Sequence, residues 1–538
     1  MRKMGRPIAF ICFFLLIIPF ASAQVSHGGK PRSFQKSTSL KAVYPEILPY
    51  QDNDSLLKQE EKLSEKEGGF KFGEEISVDF SLDNSGVWDT LADGSRLWRL
   101  GIYSANAYSL NLIFDTFHIP FGSNLFIYTA DKSFIMGAFT EKNNNSWNNF
   151  ATSLFPHDEI VLEYYEPEQN KGLGKINLTT VVHGYKDFFF KWGTLGSSAS
   201  CNINVNCPEG DNFHLAKRAV GKMILGGNSC SGTLINNTRQ DGTPYFLTAR
   251  HCMTIDPSKL VFVFNYETSD CEGNTEKTSY SYNGSTLLAS HIHSDFALLL
   301  LSDTLEVEAM PYFAGWDRRD IAITNAVCIH HPKGDIKKIS LSIKLLESSK
   351  YYDYISSYPD DTHWEVPFWD KGTTEFGSSG SGLFNTFQQL IGQLEGGYAL
   401  CIGSQPSDEG DWYGKFSYSW TNNDNSDSNR LDYWLDPLRT GVETLNGYDP
   451  HNVGMNRFDK EEYSITLSPN PANDVVRIDA SVKMLFCSIY AINGQLIDEL
   501  PINSSTTEIR THAYPAGMYL LKIKTEQRLV HKKLIIQK

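Results

Sequence analysis

The chain contains hardly any segment with the apolar periodicity of a long helix. What recurs instead is a short run of alternating apolar and polar residues, closed by a turn. Ser109-Leu110-Asn111-Leu112-Ile113-Phe114 and Asn124-Leu125-Phe126-Ile127-Tyr128, set off by Pro-Phe-Gly and Asn-rich turns, are two examples. Period-two alternation gives each strand one face for a core and one for water, so its repetition predicts packed antiparallel sheets. The 26 Tyr and 32 Phe fit strands better than helices. An all-β fold class is expected. At about 150 residues per domain, 538 residues imply about three to four domains.

The compartment follows from the start of the chain. Arg2, Lys3 and Arg6 precede an apolar run from Ile8 to Phe20, and Ala21-Ser22-Ala23 follows it. This is the n-region, h-region and small-residue cleavage site of a secretory signal peptide, assigned to residues 1–23. The run is shorter than the roughly 20 apolar residues a membrane-spanning helix needs. No other run approaches that length, so no integral membrane segment is expected after signal removal. An exported chain meets oxidising conditions, which makes its cysteines disulfide candidates. Cys12 leaves with the signal, seven of the other eight lie between Cys201 and Cys401, and Cys487 stands apart.

Composition divides the remainder. Residues 24–70 are polar and charged and read as a loosely ordered leader. The alternating region that follows reads as an antiparallel β-sandwich without evident chemistry, and its place ahead of the cysteines makes it a candidate prosegment. Residues 196–450 carry 18 basic against 32 acidic residues, nearly the whole of the chain's net charge of −15. Such a balance lacks the basic footprint of a nucleic-acid-binding protein. A polar linker over 451–463 leads to a small β-domain over 464–538, which is slightly basic.

Three stretches of the middle region offer chemistry. Tyr245-Phe246-Leu247-Thr248-Ala249-Arg250-His251-Cys252 is an apolar strand running into His and Cys. Asp295 directly precedes the strand Phe296-Ala297-Leu298-Leu299-Leu300. Gly377-Ser378-Ser379-Gly380-Ser381-Gly382 puts serines in a glycine-rich turn. A serine hydroxyl attacks only if an imidazole takes its proton, and a carboxylate fixes that imidazole's tautomer. Glycines let two backbone N–H groups turn towards a developing oxyanion. Each stretch alone has an ordinary structural reading as strand end, disulfide or linker. Together, in the order His, Asp, Ser and behind a signal peptide, they point to a serine hydrolase.

Longer motifs carry a resemblance. Ser200-Cys201-Asn202-Ile203, Cys207-Pro208-Glu209-Gly210-Asp211, the His251-Cys252 strand, Ala314-Gly315-Trp316-Asp317-Arg318-Arg319-Asp320, Ile329-His330-His331-Pro332, the serine turn and Asp432-Tyr433-Trp434-Leu435-Asp436-Pro437 resemble the lysyl endopeptidase branch of the trypsin-like serine proteases. The resemblance implies a double β-barrel over 196–450, preceded by a propeptide over 24–195 that includes a β-sandwich-like domain at about 75–190. It implies His251 as general base, Asp295 as its orienting partner and Ser379 as nucleophile, since Gly380-Ser381 follows it as the family pattern requires. The N–H groups of Gly377 and Ser379 would form the oxyanion hole. Asp411 matches the family position that pairs with a substrate lysine. The implied disulfides are Cys201–Cys401, Cys207–Cys271 and Cys230–Cys252, leaving Cys328 as a buried free thiol. The activity expected is a secreted endopeptidase cleaving protein substrates after lysine through an acyl-enzyme, without a cofactor and as a monomer. An Arg- or Lys/Arg-specific protease and a catalytically silent adhesin are the alternatives.

Two departures stand out. Glu395 occupies the place where the family carries a histidine after Gly-Gln-Leu, either as negative charge near the cleft or as a surface carboxylate. Ser378 stands where digestive trypsins have an Asp that pairs with the freed N-terminus, so that activation switch is absent in its usual form. Lys191-Trp192 suits self-cleavage by a lysine-specific enzyme better than the family boundary at Leu195-Gly196. No metal is expected. His291-x-His293 and His330-His331 lack further ligands at zinc spacing, and the Asn/Asp/Ser run at 421–430 lacks the order of a calcium loop. In the tail, Ser468-Pro469-Asn470-Pro471-Ala472, Asn493-Gly494-Gln495, Pro515-Ala516-Gly517-Met518-Tyr519 and the basic ending Lys532–Lys538 resemble a type IX secretion sorting domain. That implies a small β-sandwich recognised by the secretion machinery, and release or surface attachment outside a Gram-negative cell.

Overall fold

The computed structural model describes residues 23–24, 28–35, 40–62, 69–187, 197–272, 277–351, 359–421, 426–452, 465–491, 496–525 and 529–538. Nearly all of the signal segment, the bonds Lys191-Trp192 and Leu195-Gly196, most of the 451–463 linker, the centre of the 421–430 run and Asn493-Gly494-Gln495 lie outside the described residues. The chain divides into two units, Met1–Val453 and Gly454–Lys538.

In the first unit, the N-terminal strands form two sheets. Phe150–Ala151, Ser109–His118, Lys175–Gly184 and Gly73–Ser81 make one of four strands. The other, of six, runs Pro45–Ile47, Arg96–Tyr103, Glu159–Glu166, Asn124–Thr129 and Ile135–Phe139, with Val87–Thr90 paired to Arg96–Tyr103. Inward residues of both, among them Trp98, Leu100, Leu112, Phe114, Leu125, Ile127, Leu162 and Val181, share one core. The stretch read as a loose leader is partly built into this fold. Pro45–Ile47 lies parallel to Gly101–Tyr103, and Asn53–Lys62 is a helix. Its polar composition hid this because an edge strand and a surface helix need few apolar residues.

The middle region forms two more sheets. The first orders Tyr280–Asn283, Val261–Phe264, Val220–Leu225, Asn228–Ile235, Tyr245–Ala249, Phe296–Leu301 and Ser285–His291. The second orders Ile203–Asn204, Lys338–Leu345, Thr324–His330, Gly382–Phe384, Gln389–Gly397, Asp411–Lys415, His363–Val366 and Glu347–Ser349. One apolar cluster joins them, with Leu247 and Leu298 from the first, Val327, Phe384 and Leu390 from the second, and the fully buried Trp316. The helices are single turns such as Ala216–Ala219 and Asp432–Leu435.

The N-terminal sandwich is docked on the first barrel. Phe70–Lys71 pairs antiparallel with Asn228–Ser229, and the N–H groups of Phe72 and Gly73 both donate to Gly227 O. Phe70, Phe72, Ile113, Leu154 and Val182 pack against Ile224, Val261, Val263, Tyr266 and Ile336 of the barrel domain. Burying an aromatic side chain of this kind contributes about 1.5–3 kcal/mol, so the seam is a substantial interface.

The second unit is a five-stranded sheet of Ile465–Ser468, Val475–Ala491, Gly517–Thr525 and Leu529–Ile536, with Leu496–Arg510 paired to Val475–Ala491. Val476, Ile478, Ile489, Leu521, Ile523 and Leu534 form its own core, which also buries Cys487.

Candidate active site

The strand Tyr245–Ala249 delivers His251 two residues past its end, and the neighbouring Phe296–Leu301 brings Asp295 alongside, because Ala249 pairs with Phe296. Asp295 sits in the left-handed region at φ 49° and is 5% exposed. Its carboxylate makes two bonds to one residue: Oδ2 lies 2.6 Å from His251 Nδ1, and Oδ1 accepts from His251 N at 2.9 Å. This fixes the ring's orientation and puts the proton-accepting lone pair on Nε2. That atom is buried and has no hydrogen-bond partner among the described residues. Burial, the largest influence, works against the imidazolium, but the charge and hydrogen bond of Asp295 and the charge of Glu395 outweigh it. The His251 pKa is therefore raised above its ordinary value.

Ser379 lies in the turn between the barrels. Its carbonyl accepts from Ser231 N at 2.9 Å, and Cys252 Sγ lies 3.8 Å from the same oxygen, which brings the Ser379 backbone to the residue after His251. Gly380 N donates to Leu394 O at 2.8 Å. A Cβ at Gly380 (φ +81°) would meet Thr248 Oγ1 and Ser231 O at 2.1 and 2.5 Å, so only glycine permits this contact between the barrels. The N–H groups of Ser378, Gly380 and Ser381 all donate to backbone carbonyls. Among the described residues, those of Gly377 and Ser379 donate to nothing. Two backbone donors beside a serine are thus left open in a turn whose other N–H groups are used.

Asp411 opens the strand Asp411–Lys415, between Val366 and Gly397. It is fully buried, and its Oδ2 accepts from Trp369 Nε1 and Thr374 Oγ1, each at 2.7 Å. A carboxylate held this far from water needs such donors, and a cation beside it gains accordingly. Trp369 and Thr374 were not legible in the sequence, since nothing short of the fold brings them to Asp411.

Glu395 is no surface carboxylate. The ladder between Gln389–Gly397 and Asp411–Lys415 slips between Leu394 and Gly396, leaving Glu395 as the extra residue of a bulge, a device that re-aims a side chain. The side chain is 8% exposed, with Oε2 2.6 Å from Nε2 of the fully buried His363. His363 is a second residue the sequence reading missed. The Tyr351 ring lies tilted 6.1 Å from that of His363, and Tyr351 and Tyr398 both meet the Trp412 ring edge-on.

The disulfides join Cys201 to Cys401, Cys207 to Cys271 and Cys230 to Cys252. The last ties the residue after His251 to the strand that holds Ser379 O. Cys328 is a buried free thiol 3.2 Å from Ser381 Oγ, and burial pushes its pKa up to about 12. Neither histidine pair gathers a metal site; no group of three or more His, Cys, Asp or Glu suited to one occurs among the described residues.

Two β-sheets share one core, with His251 and Asp295 at strand ends of the first and the serine turn leading into the second. Residues 195–414 match the family described as lysyl endopeptidase, C-terminal domain, and residues 466–537 the family described as secretion system C-terminal sorting domain. A lysyl endopeptidase of Pseudomonas aeruginosa is 30% identical over 252 residues, which cover 44% of this chain and 52% of that protein. The chain thus aligns with about half the length of this curated relative. Among solved structures, an inactive form of Rv3671c from M. tuberculosis H37Rv is 13% identical at a TM-score of 0.27, covering 41% of this chain and 91% of that one. A Glu endopeptidase in complex with MPD is 17% identical at a TM-score of 0.25, covering 42% and 93%. The tail is a type IX secretion sorting domain, which marks the chain for export by a Gram-negative bacterium. No helix among the described residues is long and apolar enough to cross a membrane.

Proposed function

We propose that the chain is the precursor of a secreted serine endopeptidase that cleaves after lysine, with Ser379 as nucleophile, His251 as general base and Asp295 as its orienting carboxylate. The observation that carries this reading is the two-point grip of Asp295 on His251 beside a serine turn with two open N–H groups. Ser379 Oγ attacks the scissile carbonyl as His251 Nε2 takes its proton, and Asp295 stabilises the imidazolium. The tetrahedral oxyanion receives the N–H groups of Gly377 and Ser379. His251 then returns the proton to the leaving amine, and water, activated by the same base, hydrolyses the acyl-enzyme. Asp411 pairs with the substrate's lysine; the similarity to a protein named for lysyl specificity supports this choice over arginine.

The sandwich and its leader (24–195) act as a prosegment removed from the 196–450 protease, and the sorting domain engages the type IX machinery. The expected products are a protease released or held at the cell surface and a detached tail. The processed protein, assayed on matched Lys, Arg and Glu peptide amides, should prefer Lys, and Ser379→Ala should abolish turnover. Activity surviving that substitution removes the triad, and a preference for Glu removes the Asp411 pocket. N-terminal sequencing should place the mature end at 192–196; an end far from there overturns the processing scheme.

A further inference from the structure

His330 is buried, as is Ser378, the residue before the nucleophile, and the His330 Nδ1–Ser378 Oγ separation is 2.7 Å. The protons of this contact can be assigned from its neighbours. Ser340 Oγ donates its single hydrogen to Thr373 O at 2.9 Å, so towards His330 Nε2, 3.2 Å away, it accepts. His330 therefore carries its proton on Nε2 and presents a lone pair at Nδ1, to which Ser378 Oγ donates. Ser378 Oγ in turn accepts from Glu375 N at 3.1 Å. Burial, reinforced by Lys338, pushes the His330 pKa down to about 3, so the ring stays neutral and the direction of the chain does not reverse at working pH.

The result is a run of hydrogen bonds from Glu375 N–H through Ser378 and His330 to Ser340 and Thr373 O, with both hydroxyl protons and both ring nitrogens used. It pins the first half of the turn whose N–H groups at Gly377 and Ser379 stay open. The same turn is held at Gly377 O by Ser231 Oγ, which accepts from His331 N. The Glu375 carboxylate accepts from Ala199 N and Asn202 Nδ2 at 2.8 Å each and pairs with Lys333 at 2.6 Å. All of these contacts form in the uncleaved chain, and none uses a free α-amino group.

We propose that His330 is a positioning residue for the oxyanion turn, holding Gly377 and Ser379 through Ser378 so that the turn is assembled without a freed N-terminus. This rests on the reading of Ser379 as nucleophile. Latency of the precursor then belongs to the docked prosegment and not to an unformed oxyanion hole. In the sequence, His330-His331 stands as part of a resemblance motif and as a rejected metal pair, with no positioning role.

The test uses full-length chain, matured and assayed on a lysyl peptide amide. Ser378→Ala, a small change that keeps the fold by thermal melting, should lower kcat by about 10- to 100-fold with KM within about twofold, because misaligned oxyanion donors are felt in the transition state. Affinity for a peptidyl boronate should fall in parallel. His330→Leu should share the loss, and His330→Asn, whose Oδ1 restores an acceptor near the Nδ1 position, should recover most of it. Above the acid limb set by His251, kcat/KM should show no fall through the range at about pH 8 where an α-amino group deprotonates. Wild-type kcat in Ser378→Ala, a change confined to KM, or activity that falls with the α-amine overturns the proposal. Ser379→Ala separates the two ideas. If it is inactive while Ser378→Ala is unimpaired, only the positioning role fails; if it is active, the nucleophile is misassigned.

Discussion

Asp295 grips His251 at two points, the ring Nδ1 at 2.6 Å and the backbone N at 2.9 Å, so one carboxylate sets both the tautomer and the position of the loop that carries the base. An amide in its place leaves one of those N–H groups facing another donor. Asp295→Asn should therefore lower kcat about 10⁴-fold with little change in KM, the scale expected when a base is locked in the wrong tautomer. Steady-state kinetics of the matured protein check this.

The charge of Glu395 adds to that of Asp295 in holding the His251 pKa up. With His251 as the proposed base, its protonated form is inactive, so activity should be lost as the pH falls through its pKa. Glu395→Gln removes stabilisation of the imidazolium and should move the acid limb of the kcat/KM profile to lower pH. A limb that stays in place, or moves to higher pH, contradicts the charge coupling.

Asp411 is buried with two donors on one oxygen. Asp411→Asn should weaken transition-state binding of lysyl substrates by about 2–5 kcal/mol, the cost of truncating one partner of a buried charge pair. Glycyl or alanyl substrates, which bring no charge, should lose far less. The ratio of kcat/KM values between the two substrate types is the measurement.

Glu267 lies between Lys277 at 2.6 Å and the fully buried Lys337 at 3.1 Å. Burial alone would raise its pKa, but the two ammonium groups bring it down to about 2. A carboxylate depressed in the folded state contributes stability above its unfolded pKa of about 4.3 and loses that contribution as pH falls towards 2. Glu267→Gln should cost about 3–5 kcal/mol at neutral pH, since it leaves Lys337 buried without its carboxylate. The loss should shrink in denaturant titrations repeated at acid pH.

Phe72 is fully buried in the seam between the sandwich and the first barrel. Phe72→Ala should destabilise the unprocessed chain by about 3–5 kcal/mol and leave the matured enzyme's melting temperature unchanged. An equal loss in both forms would mean that the prosegment is not what this residue holds.

Much of this was legible residue by residue. Strand alternation gave the all-β class, the tail motifs gave the export route, and the strand ends gave His251 and Asp295 as a candidate pair that the fold brings within 2.6 Å, because each is a local pattern tied to a local constraint. The leader was misread because its strand and helix draw on partners elsewhere. Glu395 was left open between cleft and surface, since a bulge of one residue, which turns a side chain, depends on the partner strand.

What the sequence by itself determined is therefore the all-β class, the export route and which residues are candidates for the chemistry, all of which depend on patterns along the chain. What only the tertiary structure decided is how those groups are held. Asp411 meets Trp369 and Thr374, Glu395 meets His363, and Ser378 meets His330 across 42, 32 and 48 residues of chain at the widest. Those meetings come from strand register and barrel packing. A hydrogen bond between residues so far apart has no signature in the order of the residues; it exists only once the sheets have brought both ends into one buried place.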